Sequence, residues 1–244
     1  MVAHDPLPRR NPETVVFEAR TWPKGTFLSQ LSVPDRTRLL RLGVLHSLGP
    51  QRALVRQGDP AGSVWLLIDA LVKVSARVEN GTEALLALRV SGDMIGEMAV
   101  LGETVRSATV VTCGRAVVCQ IRGEAFVGFL QRHPTAALIL NQMTIDRLRW
   151  SNQRRLDFAG YAAGQCLARV LLALAGRHGR PCDMGVDLGI PLTQAELGGL
   201  VGAKEDTVQK ALRALTSDGL VSVAGRRRVV ITDLARLTEF ADLH

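Results

Sequence analysis

The chain has 244 residues, of which 47% are hydrophobic and 22% charged, the balance of a globular protein with one large domain or two small ones. Its longest apolar runs, such as VWLLI at 64–68, fall far short of the roughly 20 residues that cross a bilayer. The opening MVAHDPLPRRNPETVV has no apolar signal segment, and the four cysteines (113, 119, 166, 182) have no CxxC spacing. A reducing cytoplasm is therefore the expected location, with no metal knuckle or disulfide framework.

Net charge is +7, but it is spread thinly. Residues 160–244 hold 10 Lys/Arg against 9 Asp/Glu, and residues 31–135 hold 12 against 9. A nucleic-acid surface must come from local clustering, and Arg226-Arg227-Arg228 is the one tight cluster. Enzyme motifs are missing: there is no GK[ST], HExxH or GxSxG, and the five histidines are scattered.

Residues 1–30, with Pro6, Pro8, Pro12 and Pro23, read as a loose arm that meets the fold near Val15–Phe17. Residues 31–46 read as an amphipathic helix with Leu39, Leu40, Leu42 and Leu45 on its apolar side. From about 50 to 122, short β-rich runs are cut by Gly, Asp and Asn, the texture of an antiparallel barrel or jelly roll. Asn80-Gly81 predicts a hairpin with a type I′ turn.

Residues 124–131 predict a short helix, and 135–159, free of Gly and Pro, a long one. On the long helix, Ala137, Asn141, Thr144, Leu148, Ser151, Arg155 and Phe158 follow a 4-3 spacing. That is a partly polar coiled-coil seam, although a helix packed on its own domain fits as well. A further helix is expected over 162–176.

LTQAELGGLVGAKEDTVQKALRALTSDGL at 192–220 reads as a helix-turn-helix. Thr193 and Glu196 form a capping box, Gly202 permits the turn, and Val208, Leu212 and Leu215 face inward from the second helix. Two β-rich runs, 220–223 and 229–232, then flank the triple arginine as a wing. A helical hairpin that merely packs is the alternative. The exposed Lys204, Gln209, Lys210 and Arg213, beside a basic wing, favour DNA.

In SGDMIGEMAVL…RSATV, Gly96 lets backbone approach a ligand. Glu97 can accept from a ribose hydroxyl, Arg106 forks onto a phosphate, and Ser107 adds a hydroxyl and an amide. Together they suit a small ribose phosphate. This stretch resembles the phosphate-binding cassette of cyclic-nucleotide-binding domains. The whole order, over roughly residues 30–240, is similar to the cyclic-AMP receptor protein/FNR family of bacterial regulators, in the manner of an actinobacterial, mycobacterial member.

The resemblance implies an α+β fold. Its parts are an N-terminal arm (1–30), a cyclic-nucleotide-binding β-roll (31–134), a long dimerisation helix (135–160) and a winged helix-turn-helix (161–244). It implies a homodimer whose partners are double-stranded DNA and cAMP, and it admits RNA polymerase; no metal and no membrane are implied. Gly96 and Glu97 would hold ribose with Met98 beside them in the ligand site, Arg106 and Ser107 the cyclic phosphate, and Ser151 and Asn152 the base, one of them across the dimer. DNA would meet Thr193, Gln194, Lys204, Glu205, Asp206, Thr207, Gln209, Lys210, Arg226, Arg227 and Arg228.

The family's recognition helix often carries Arg-Glu-Thr-Val-x-Arg, where this chain has Glu205-Asp206-Thr207-Val208-Gln209-Lys210. Glu in the first place favours cytosine and repels phosphate, which implies an altered operator. Ala70 stands where a turn glycine is usual, and Asn152 where Ser or Thr is. The iron–sulfur branch uses clustered N-terminal cysteines, and residues 1–30 have none. Cys113 and Cys119, six apart on one strand-like region, are expected to share a face and fit buried apolar positions; a thiol-responsive regulator of the same fold is the alternative.

Overall fold

The computed structural model describes residues 20–225 and 227–242. Two antiparallel four-stranded sheets form a roll. One has the order β1 (Gly43–Leu48), β8 (Ala116–Arg122), β3 (Ser63–Asp69), β6 (Met94–Ile95). The other has β2 (Ala53–Val55), β7 (Thr109–Thr112), β4 (Leu71–Arg77), β5 (Glu83–Val90). Alternation on β3 explains the layering. Leu67 joins Leu54, Val72, Val110 and Val118 between the sheets. Val64, Leu66 and Ile68 face outward onto helices.

Those helices are α1 (Phe27–Gln30), α2 (Val33–Leu40), α4 (Gly123–Arg132) and the start of α5 (Pro134–Gly160). Phe27, Leu28, Phe126 and Phe129 are fully or almost fully buried there. A short α3 (Glu97–Leu101) leads from β6 towards β7.

The third unit contains α6 (Ala163–His178), β9 (Arg180–Cys182) and β10 (Gly185–Pro191). It continues through α7 (Gln194–Val201), α8 (Glu205–Ser217), β11 (Val221–Ala224), β12 (Arg228–Ile231) and α9 (Leu234–Asp242). Its core takes Leu167, Leu171, Leu197, Leu212 and Ile231, and Leu85 and Leu88 of β5 complete it. Among the described residues no helix is long and apolar enough to cross a membrane.

Several expectations need correction. The amphipathic helix over 31–46 ends at Leu40; Leu42 lies beyond it, and Leu45 belongs to β1, paired with Cys119 of β8. Gly43 breaks the helix because the sheet needs a bare backbone there: a Cβ would stand 2.7 Å from the Gln120 carbonyl. The arm is tied down from residue 20: the Trp22 indole donates to the Ile68 carbonyl at 3.1 Å. The junction at Val15–Phe17 lies outside the described residues.

The hairpin at Asn80-Gly81 forms, but only Gly81 has positive φ (84°). The Gly81 amide donates to the Val78 carbonyl, so the turn is built one residue earlier than a type I′ turn on Asn-Gly. Gly43→Val should cost about 1–3 kcal/mol of stability, the usual penalty for overpacking. Urea unfolding of the variant checks this, and an unchanged midpoint would show that the β1–β8 contact yields.

Candidate nucleotide and DNA sites

Gly96 adopts φ 86° as the residue before α3, and a Cβ there would run into the Arg106 guanidinium. This places Glu97 and Met98 at the first turn of α3 and Arg106 beneath the Gly96 backbone. Arg106 is 5% exposed and donates to the Gly96 carbonyl at 2.9 Å and the Ser63 carbonyl at 2.5 Å. A guanidinium has five N–H donors, so the rest remain for an anion. Burial draws the Arg106 pKa below its ordinary value, against the pull of Glu97 and Asp59. A neighbouring anion would relieve that strain.

Gly96, Glu97, Met98, Arg106 and Ser107 line one cavity of about 100 Å³, with Val55, Val74 and Val110 as apolar wall. Ligand clefts usually measure roughly 300–1,000 Å³, so a nucleotide must widen this one. Two further arginines line it, Arg89 from β5 and Arg147 from α5, and sequence reasoning missed both. Glu97 is 4% exposed, and Arg147 donates to it at 2.5 Å and to the Met94 carbonyl at 2.9 Å. Arg147 sits one helical turn before Ser151, the only signal that could have marked it. For Arg89 the signal was an arginine set between Leu88 and Val90 in a strand apolar from Ala84 to Leu88.

Ser151 and Asn152 do not reach this cavity. Ser151 lines a second one of about 350 Å³, with Arg154, Arg155 and Phe158 of α5 and Gly199 to Gly202 at the end of α7. Asn152 is exposed. The seam face is open: Leu148 is 60% and Phe158 56% exposed.

The helix-turn-helix forms as its residues require. The Thr193 hydroxyl accepts from the Glu196 amide at 3.0 Å, and the Glu196 carboxylate from the Thr193 amide at 2.8 Å. Gly202 turns the chain at φ 81°. On α8, Val208, Leu212 and Leu215 are buried. Lys204, at its N-cap, and Glu205, Asp206, Thr207, Lys210 and Arg213 are exposed, and Gln209 is half-buried. Thr193 and Gln194 are half-buried. On the wing Arg227 is exposed, while Arg228 is ion-paired with Asp187 of β10. Arg226 lies outside the described residues.

α7 is held against the roll. Lys73 of β4 pairs with Glu196 at 2.5 Å and donates to the Pro191 carbonyl at 3.0 Å. A Cβ on Gly199 would stand 2.6 Å from the Leu85 amide nitrogen. Cys113 and Cys119 do not share a strand: Cys113 follows β7 and Cys119 is buried in β8. Burial pushes their thiols up to about 11 and about 12. Among the described residues no group of three or more side chains could hold a metal ion.

The cyclic nucleotide-binding domain family matches residues 45–133, and the Crp-like helix-turn-helix domain family matches residues 165–240. This defines a DNA-binding transcription regulator with a cyclic nucleotide-binding domain.

The chain is 31% identical over 187 residues to a CRP-like cAMP-activated global transcriptional regulator of Mycobacterium tuberculosis (strain CDC 1551 / Oshkosh), covering 76% of this chain and 82% of that one. It is 28% identical over 189 residues to the cAMP-activated global transcriptional regulator CRP of Salmonella typhimurium, covering 76% and 89%. The fold is similar to that of the c-di-GMP responsive global regulator CLP of Xanthomonas campestris, with a TM-score of 0.69 and 23% identity over 83% of this chain and 100% of that one. The chain belongs to the cyclic-AMP receptor protein/FNR family.

Arg147→Met should destabilise the protein by about 3–5 kcal/mol, because it strands the Glu97 carboxylate in a buried setting. Adding Glu97→Gln should recover much of that loss. Urea unfolding of both variants is the check, and a loss under about 1 kcal/mol would mean that water screens the pair.

Proposed function

We propose that the chain acts as a homodimeric, sequence-specific DNA-binding regulator whose hold on DNA is set by a cyclic nucleotide in the roll. cAMP, the effector in the names of the mycobacterial and Salmonella relatives, is the first ligand to test. The observation that carries the reading is the convergence of Gly96, Glu97, Met98, Arg106 and Ser107 on one cavity whose carboxylate is already tied to α5. In this reading Arg106 and Ser107 hold the phosphate and Glu97 the ribose. Ser151 and Asn152, which do not reach the cavity within one chain, would complete the site only where two α5 helices meet.

Leu148 and Phe158, seam positions of the 27-residue α5, are both more than half exposed, which supports the dimer. A dimer would set two α8 helices for adjacent major grooves, about 34 Å apart. Lys204, Thr207, Gln209 and Lys210 would face DNA, with Arg227 on the backbone. The thiol-responsive alternative has less support, because the raised Cys113 and Cys119 pKa values disfavour the reactive thiolate.

Genomic DNA fragments titrated with the full chain, with and without cAMP or cGMP, test this. One nucleotide should change affinity roughly 5–150-fold, Arg106→Ala should remove the change, and affinity should fall steeply with log salt. Affinity indifferent to both nucleotides would overturn ligand control, and a flat salt profile would overturn DNA binding. Leu148→Glu should shift the sedimenting species from dimer to monomer; a monomeric wild type would overturn the dimer.

A further inference from the structure

The chain passes from the long helix to the DNA-binding unit through Tyr161 and Ala162, both extended, between α5 and α6. Each residue has two soft dihedrals, so this junction sets the direction of the whole unit unless side chains brace it. Arg169 of α6 does so. Its Nη1 donates to Asp157 Oδ1, in the last turn of α5, at 3.3 Å. Its guanidinium lies 4.1 Å from the Tyr161 ring centroid. Its Nε donates to the Ala241 carbonyl, at the end of α9, at 2.9 Å. One planar fork thus joins α5, the junction, α6 and α9.

The contacts that matter are sheltered. Asp157 is 7% exposed, and Gln153 also donates to it at 2.9 Å. The Ala241 carbonyl is among the last four of α9, which have no partner within the helix, and that helix end favours a cation. The further pair from Nη2 to Asp242 at 3.5 Å is exposed on the aspartate side and adds little. Packing brings α9 to the same place: a Cβ on Gly164, in the first turn of α6, would stand 3.5 Å from the Phe240 ring.

The junction is close to the cavity along α5. Arg147, which holds Glu97 at 2.5 Å, precedes Asp157 on that helix by about 15 Å of rise. We infer that Arg169 is the positioning residue of this hinge: it makes α5, α6 and the C-terminal helix α9 turn as one body, so that a shift of α5 at the cavity reaches the DNA-binding unit. The inference rests on the ligand-regulated reading above and names the residue through which the regulation passes. Arg154, which donates to the Leu200 carbonyl at 3.1 Å, ties α5 to α7 separately. Loss of Arg169 therefore weakens the coupling without abolishing it.

Calorimetry with cAMP and cGMP, and DNA titrations with and without each, test this on the full chain. Arg169→Met combined with Asp157→Asn removes the brace without stranding a buried carboxylate. The double variant should bind nucleotide within about twofold of wild type, because the cavity shares no partner with the brace. Its nucleotide-dependent change in DNA affinity should shrink roughly 2–30-fold. Hydrogen exchange at the Tyr161 and Cys166 amides, which bond to the Asp157 and Ala162 carbonyls, should quicken even without ligand. Arg169→Lys keeps the charge beside Asp157 but cannot fork to Ala241 as well, and should lose part of the response. It decides the question if the double variant fails to fold.

A full response in these variants, beside a responsive wild type, would overturn the hinge role and leave the regulated reading standing. So would a response lost in Arg169→Met and restored by adding Asp157→Asn, since the stranded charge would then be the cause. Loss of nucleotide binding together with the response would move the effect of Arg169 into the roll and overturn the inference. A wild type whose DNA affinity ignores both nucleotides would overturn both readings.

Discussion

The cavity is organised by one buried ion pair. Glu97 is 4% exposed and Arg147 reaches it from α5 at 2.5 Å. Charges are costly to bury, and a pair so placed persists because each partner would be worse off alone. A ribose that takes the Glu97 oxygens must therefore offer Arg147 something in return or move it. Arg147 also holds the Met94 carbonyl and lies 3.8 Å from Asp93, which in turn lies 3.9 Å from Arg177 at the end of α6. A line of ion pairs thus runs from the Glu97 cavity to the helix-turn-helix unit, and its energy would change if a ligand took Glu97 from Arg147.

Strand β5 makes the same connection through packing. Leu85 and Leu88 belong to the core of the DNA-binding unit, while Arg89 lines the cavity. One strand is a wall of both. Widening the cavity around a ligand presses on that wall, and interiors are too densely packed to absorb the displacement locally. Gly199 brings α7 onto the Leu85 backbone, and the Lys73–Glu196 pair fastens the capping box itself to β4. The start of the helix-turn-helix is therefore set by the roll, and α8 inherits its direction across the Gly202 turn.

Much of this was legible in the sequence where the determinants are local. The Thr193–Glu196 box, Gly202 and the apolar face of α8 form as expected because each depends on residues within a turn or two. The Gly96–Ser107 cassette was readable because its glycine and arginine are specified by mutual contact over a short span. Determinants that lie far apart in the chain were not. Leu45 is a strand residue because β8 pairs with it, and α3 replaces an expected β-rich run because Gly96 enters it at positive φ. Arg89 and Arg147 acquire meaning only when β5 and α5 meet at Glu97. Nothing in the 4-3 spacing of α5 shows that Ser151 lines a second cavity beside α7.

The DNA face follows from which cations are already committed. Arg228 is spent on Asp187, so its charge is largely cancelled within the sheet and contributes little to a phosphate. Glu205 and Asp206 suit the first turn of α8, where the helix dipole favours anions, yet the same charges repel a phosphate backbone. In the proposed reading the attraction would come from Lys204, Lys210, Arg213 and Arg227, all exposed and without an ion pair among the described residues. If the first turn of α8 reads base edges, as proposed, its carboxylates turn part of that face into acceptors. Acceptors match cytosine amino groups and no phosphate, so this helix would trade general affinity for a narrower choice of sequence.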